Sequence, residues 1–339
     1  MRSTFLAAVL ALLPLAALGQ DYATGLAAAA RGDYAVALKE WQPLAEQGLA
    51  NAQYNLGQMY RRGQGVPQDD AEAVRWYRLA AEQGVTLAQF NLGVMYDSGE
   101  GVPQDYAEAV RWYRLAAEQG VADAQSNLGL MYQDGRGVPQ DHAEAVRWYR
   151  FAVEQGDAAA QSNLGRSYAK GQGVPQDNAE AVQWLRLAAE QGLANAQYNL
   201  GIMYDKGQGV PQDYAEAVRW YRLAAEQGDA DAQSNLGVMY AKGQGVSQDY
   251  AEAVQWFRLA AKQGNASAQS HLGAMYGNGQ AVPQNNVSAH MWFNLGAANG
   301  HAEAADNLDL AARQMTAADI SEAQRRAGIC LKSGYSDCE

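Results

Sequence analysis

Residues 84–119 read GVTLAQFNLGVMYDSGEGVPQDYAEAVRWYRLAAEQ, and this stretch decides the fold. Ala88, Leu92, Met95 and Tyr96 follow i, i+4, i+7, i+8 spacing, one apolar stripe of a helix over residues 86–97. Ser98-Gly99-Glu100-Gly101-Val102-Pro103 then breaks that helix, because glycine permits positive φ and proline biases the residue before it away from helix. Asp105 is placed to cap a second helix, with Glu108 three residues on in the spacing of a capping box. Ala109, Val110, Tyr113, Ala116 and Ala117 form its core face, and Gly120 supplies a left-handed stop after Gln119. The stretch therefore predicts two helices, A and B, joined by a glycine-rich turn.

The same pattern extends outward in both directions. Glycine recurs every 36 residues at Gly48, Gly84, Gly120, Gly156, Gly192, Gly228, Gly264 and Gly300. Residues 228–263 read GDADAQSNLGVMYAKGQGVSQDYAEAVQWFRLAAKQ, nearly the quoted unit again. Seven full units span residues 48–299, the half-unit LKEWQPLAEQG precedes them, and a degenerate unit follows from Gly300. A unit of this size cannot cover its own apolar face and must stack on a copy of itself. Gly93 recurs inside helix A as Gly57, Gly129, Gly165, Gly201, Gly237 and Gly273. Mid-helix glycine costs roughly 1 kcal/mol against alanine, so its presence in every unit predicts close approach by another helix; a functional hinge is the alternative. The last units drift, with Ala281 in place of a turn glycine and HMWFNLGAANG in place of VRWYRLAAEQG, as expected of an end cap. Thr316 to Asp319 reads as a fresh helix start, with the helix running through Arg326.

Written as A-x3-LG-x2-Y-x2-G-x-GV-x2-D-x3-A-x3-Y-x2-A, the unit closely resembles the Sel-one-like repeat (SLR) family, relatives of the tetratricopeptide repeats, over nearly all of residues 21–327. The 36-residue period and the long Gly-x-Gly-Val-Pro turn favour this branch over the usual tetratricopeptide unit. The resemblance implies an all-α, right-handed α-α superhelix and a scaffold or adaptor role. It also implies, as in many bacterial relatives, export to the cell envelope or action on host factors. Some cysteine-rich relatives bridge each repeat with a disulfide and are assigned penicillin binding or hydrolysis. The repeats here lack those cysteines, which argues against that activity.

Of the 339 residues 48% are hydrophobic, a globular composition. Met1-Arg2, an apolar run from Phe5 to Leu18 and small residues at Ala17-Leu18-Gly19 predict a cleaved signal peptide over residues 1–19; an uncleaved anchor is disfavoured by length. The expected layout is then signal peptide 1–19, N-terminal cap and half repeat 20–47, seven repeats 48–299, and a degenerate C-terminal cap 300–339. No second apolar stretch long enough to span a membrane follows, so a periplasmic or secreted chain without an integral membrane segment is expected. Cys330 and Cys338 are the only cysteines; in an exported chain they can form a disulfide that ties down the tail, or stay free thiols. A net charge of −12 disfavours nucleic acid as a partner.

Comparing the copies with one another locates the candidate site. Core positions agree, while two helix-A positions vary. One reads Tyr54, Phe90, Ser126, Ser162, Tyr198, Ser234, Ser270; the other reads Gln58, Val94, Leu130, Arg166, Ile202, Val238, Ala274. A helical wheel puts both opposite Ala88, Leu92 and Tyr96. In tetratricopeptide-like solenoids helix A lines the concave face, so Tyr54, Gln58, Phe90, Val94, Leu130, Arg166, Tyr198, Ile202 and Val238 are the candidate partner-binding residues. The alternative is that they pack on the next unit and tune curvature. Beside them runs an asparagine ladder, Asn55, Asn91, Asn127, Asn163, Asn199 and Asn235, with His271 in the last unit. It suits either recognition of a peptide backbone or a structural hydrogen bond to a neighbouring turn. Helix B presents Glu108, Arg111, Arg114 and Glu118 as a solvated face. The ladder Trp76, Trp112, Trp148, Trp184, Trp220, Trp256 and Trp292 fits packing between units, with glycan stacking as the minor alternative.

A search for catalytic chemistry returns little. His142, His271, His290 and His301 lack metal-ligand spacing. Ser167-Tyr168-Ala169-Lys170 matches the S-x-x-K of penicillin-recognising serine enzymes, but it is a repeat position with one substitution and has no K-T-G or S-D-N companion. The Gly-x-Gly turns lack the strand and third glycine of a nucleotide site. The expectation is a non-enzymatic, cofactor-free and metal-free exported scaffold that binds a peptide or protein partner. An envelope enzyme of the penicillin-binding type and a glycan-binding solenoid are the alternatives; oligomeric state stays open.

Overall fold

The computed structural model describes residues 15–338, with side chains from residue 21. Residues 1–14, most of the expected signal segment, lie outside the described residues, and residues 15–19 fall in the first helix. Among the described residues there are eighteen helices and no strand. They divide into two compact units. The first contains α1 (Leu15–Ala30), α2 (Tyr34–Glu46), α3 (Ala50–Arg62), α4 (Asp70–Glu82), α5 (Thr86–Ser98), α6 (Tyr106–Glu118), α7 (Ala122–Asp134) and α8 (His142–Val153). The second contains α9 (Ala158–Lys170), α10 (Asn178–Glu190), α11 (Ala194–Lys206), α12 (Tyr214–Glu226), α13 (Ala230–Lys242), α14 (Tyr250–Ala261), α15 (Ala266–Asn278), α16 (Asn286–Ala298), α17 (Ala302–Ala312) and α18 (Ala317–Lys332).

The turn inside each hairpin follows from its residues. Gly99 ends α5 in the left-handed region at φ 77°. Gly101 follows at φ 70°, where a Cβ would stand 2.3 Å from the Asp70 carbonyl in the first turn of the preceding helix B. The last turn departs from this, with Ala281 at the equivalent place in the left-handed region at φ 56°. The Asp105 side chain accepts from the Ala107 and Glu108 amides, so it caps α6 as expected. The return half of the capping box does not form. The Asp105 N–H already donates to the Tyr96 carbonyl at 2.9 Å across the turn, and the Glu108 carboxylate instead accepts from Arg111 and from Trp112 Nε1.

The core repeats as three-helix clusters. Ala73, Val74, Tyr77, Ala80 and Ala81 of α4 pack on Ala88, Leu92 and Met95 of α5, and Trp112 of α6 closes the cluster. In the second unit α10 and α11 form the same cluster, closed by Trp220 of α12. Each of these tryptophans therefore fills the seam between its own hairpin and the one before. Trp76, Trp112, Trp148 and Trp220 are all buried there, not offered to a ligand. Gly93 sits under the Tyr113 ring, which is the close approach its recurrence predicts.

A ladder of polar residues lies in the interior of the fold. Gln53, Gln89, Gln125, Gln197, Gln233 and Gln269 are buried. Gln89 Nε2 donates to the Ala81 carbonyl at 3.1 Å, and its Oε1 accepts from Gln119 Nε2 at 2.7 Å. The bonds recur at Gln125 with Ala117 and Gln155, and at Gln197 with Ala189 and Gln227. Each glutamine adds a second donor to a carbonyl at the end of the preceding helix B, such as Ala81, which also accepts from the Gly84 N–H at 3.0 Å, and so ties successive hairpins together.

The C-terminal end is covered by α17 and α18, both packed on α16. This explains the drift at residues 290–300: Met291, Trp292, Phe293 and Leu295 are all buried because α16 has neighbours on more sides. Thr316 caps α18 with a complete capping box, and α18 runs to Lys332, past Arg326. Cys330 and Cys338 are joined by a disulfide and buried in the last cluster.

Candidate interaction surface

The variable helix-A positions are half-buried, not open. Phe90 lies 6.0 Å from Tyr113 between ring centroids, and Tyr54 and Tyr198 stand the same way against Tyr77 and Tyr221. Where the position is serine, at Ser126, Ser162, Ser234 and Ser270, it is buried outright. Val94, Ile202 and Val238 each lean on a core cluster. Gln58 donates to the Tyr54 hydroxyl at 2.8 Å. The ladder thus contributes to packing along its whole length while keeping part of each large side chain exposed.

In the second unit the ladder borders a hollow. Arg166, Ala169 and Lys170 of α9, Leu185 of α10, Asn195, Tyr198, Asn199, Ile202 and Met203 of α11, and Asp229 and Asp231 at the start of α13 line a hollow of about 510 Å³. The sequence pattern explains the hollow. Tyr198 stands between Ser162 and Ser234 at the same ladder position, so a large ring is flanked on both sides by small buried residues. The hollow brings together Arg166, Tyr198, Asn199 and Ile202 of the expected set. Tyr54, Gln58, Phe90, Val94, Leu130 and Val238 are not part of it.

Its walls carry opposite charges. Arg166 and Lys170 stand on α9, while Asp229 and Asp231 stand at the start of α13. Asp229 also caps α13 through the Ala232 amide, and Asp231 accepts from Asn265 Nδ2 at 2.8 Å. Burial, reinforced by Asp231 and Asp229, pushes the Tyr198 hydroxyl up to about 12, so it remains a neutral donor at physiological pH. Asn199 donates to the Asn195 carbonyl at 2.7 Å, and Ser162 donates to Asn195 Oδ1 at 3.0 Å.

The asparagine ladder is not a continuous open rail. Asn91 and Asn163 are buried, and Asn55 donates to the Tyr22 hydroxyl at 3.1 Å. Asn127 and Asn235 reach the hydroxyls of Tyr113 and Tyr221. Sequence comparison missed Asn195, Asp229 and Asp231. The signal for Asn195 and Asp231 was present one turn earlier on helix A, where the copies read Asn51, Leu87, Asp123, Ala159, Asn195, Asp231 and Ser267.

Other candidates sit elsewhere. Ser167 is buried, and its Oγ donates to the Asn163 carbonyl at 2.9 Å, the back-bond of a helix serine. Among the described residues no group of three or more His, Cys, Asp or Glu is arranged to hold a metal ion, and no helix is long and apolar enough to cross a membrane. Helix B exposes an apolar residue in four successive repeats, Phe151, Leu187, Leu223 and Leu259, beside the charged residues read as its solvated face.

Seven consecutive matches to the Sel1 repeat model cover residues 50–85, 86–121, 122–157, 158–193, 194–229, 230–265 and 266–301. The chain belongs to the Sel1 repeat family, whose fold class is the all-α repeat superhelix and whose repeats generally mediate protein–protein interaction. It is similar to the crystal structure of a Sel1 repeat protein from Oxalobacter formigenes, at 36% identity and TM-score 0.66 over 71% of this chain and 96% of that one. It is also similar to a protective antigen of uropathogenic Escherichia coli strains that displays an SLR fold, at 32% identity and TM-score 0.51 over 95% of this chain and 86% of that one. No curated protein matches.

Proposed function

We propose that this protein is an exported interaction scaffold that holds a peptide or protein partner on its helix-A face, at the hollow between α9, α11 and α13. The observation that carries this reading is the hollow of about 510 Å³ at Tyr198 and Ile202, an apolar and aromatic floor set between charged walls. An apolar and aromatic floor with polar walls is the composition of a recognition hot spot. Export is supported by the apolar run behind Arg2 and by the Cys330–Cys338 disulfide, which suits an oxidising compartment. A role in the cell envelope or at a host surface agrees with both. The burial of Ser167 argues against the penicillin-type enzyme, and the burial of Trp76, Trp112, Trp148, Trp220 and Trp292 argues against the glycan reading.

The test is affinity capture from native envelope extract with the wild-type chain, with Ile202→Glu and with Leu187→Glu on the helix-B face. Capture lost with Ile202→Glu and kept with Leu187→Glu supports the assignment. The reverse pattern moves the site to helix B.

A further inference from the structure

The hollow is polarised, and its polarity restricts what it can hold. Arg166 and Lys170 lie in the C-terminal half of α9, Tyr198 and Ile202 in the middle of α11, and Asp229 and Asp231 at the start of α13. The lining therefore runs from positive, through apolar, to negative. Lys170 and Asp231 alone could be explained by helix dipoles, since cations suit helix ends and anions suit helix starts. Arg166 has no such explanation. It sits inside α9, at a ladder position that is otherwise Gln58, Val94, Leu130, Ile202, Val238 and Ala274, none of them charged. Asp229 caps its own helix and Asp231 accepts from Asn265 of the next repeat, and a carboxylate has further lone pairs to offer.

We infer that the hollow takes an extended peptide segment carrying an apolar side chain between an acidic residue and a basic residue. The acidic residue lies toward Arg166 and Lys170, and the basic residue lies toward Asp229 and Asp231. The apolar side chain enters over Ile202 and Met203 beside the Tyr198 ring. Asn195, Asn199 and the neutral Tyr198 hydroxyl offer hydrogen bonds to the peptide backbone. Opposite charges at the two ends fix the direction in which the segment lies, because the reversed order sets like charges against each other. This inference rests on the helix-A reading proposed above.

The test uses the full chain and a display library of random linear peptides, selected in parallel on the wild type and on Ile202→Glu. Circular dichroism and unfolding midpoints confirm that the variant is folded. Peptides enriched on the wild type and lost on Ile202→Glu are expected to share the acid–apolar–base order. Exchanging the two charges in a synthetic winner is expected to weaken binding at least tenfold. The double variant Arg166→Glu, Asp231→Lys is expected to prefer the exchanged peptide. Ile202-dependent peptides with no charge order, or with affinity indifferent to the exchange, overturn this inference and leave the helix-A reading in place. Enriched peptides that bind Ile202→Glu as tightly as the wild type overturn both.

Discussion

Gly93 lies directly beneath the ring of Tyr113: a Cβ at position 93 would stand 2.7 Å from Tyr113 Cδ1. The relationship recurs at Gly57 with Tyr77, at Gly201 with Tyr221 and at Gly237 with Phe257. It fixes how closely helices A and B of one hairpin approach. Gly93→Leu is expected to destabilise the chain by about 1–3 kcal/mol through overpacking. Gly328, inside α18, has nothing within 4 Å of its would-be Cβ; Gly328→Ala is expected to stabilise by roughly 0.5–1 kcal/mol, the helix-propensity gain alone. Urea unfolding of the two variants side by side checks the contrast.

The buried glutamines predict a cost that surface positions do not carry. Gln89→Leu removes two buried hydrogen bonds, to the Ala81 carbonyl and from Gln119, although Ala81 keeps the Gly84 N–H and Gln119 keeps the Leu115 carbonyl. At about 0.5–1.5 kcal/mol for each hydrogen bond, a loss of about 1–3 kcal/mol is expected. Gln104, exposed in the turn, donates only to the Asp97 carbonyl, and Gln104→Ala is expected to cost less than about 1 kcal/mol. Equal losses would contradict the structural role of the buried ladder.

Ala281 holds a left-handed backbone at φ 56° in a turn where the other repeats use glycine. A non-glycine residue there costs roughly 1–2 kcal/mol. Ala281→Gly is therefore expected to raise the unfolding midpoint, with a stabilisation of about 1 kcal/mol after the added freedom of the unfolded chain is counted.

His271 replaces the ladder asparagine and stacks on Phe257 at 4.8 Å between ring centroids. Burial holds its pKa below the ordinary value, helped by His301 and Lys242 and opposed by the Ser267 carbonyl and Glu303. The folded chain then binds fewer protons at this site than the unfolded chain. Its contribution is complete above the unfolded pKa of about 6.5 and is lost as pH falls below it. His271→Asn is expected to flatten the decline in unfolding midpoint between about pH 6.5 and pH 5. An unchanged slope would contradict a buried, neutral imidazole.

Much of the fold was legible in the residues. The period of Gly84 and Gly120, the cap at Asp105 and the stripe of Ala88, Leu92 and Met95 correctly place α5, α6 and the turn between them. The face carrying Phe90 and Val94 was harder to read. A helical wheel assigns one buried stripe, whereas a helix inside a stack has neighbours on several sides, so Phe90 rests on Tyr113 while lying opposite Leu92. The role of Gln89 is not legible in the residues, because only its bonds to the Ala81 carbonyl and Gln119 show why a glutamine belongs inside. The hollow was half legible. Tyr198 and Ile202 stand out among the copies, but the charged wall at Asp229 and Asp231 comes from the next repeat and becomes visible only once the hairpins are stacked.

The most direct test of the interaction surface is hydrogen exchange of the full chain with and without a bound selected peptide. Protection is expected in the C-terminal half of α9, along α11 and in the first turn of α13, with the amides around Leu187 and Leu223 unchanged. Protection of α10 and α12 around those leucines, with α11 exchanging as in the free chain, would contradict the assignment of the site to the helix-A face.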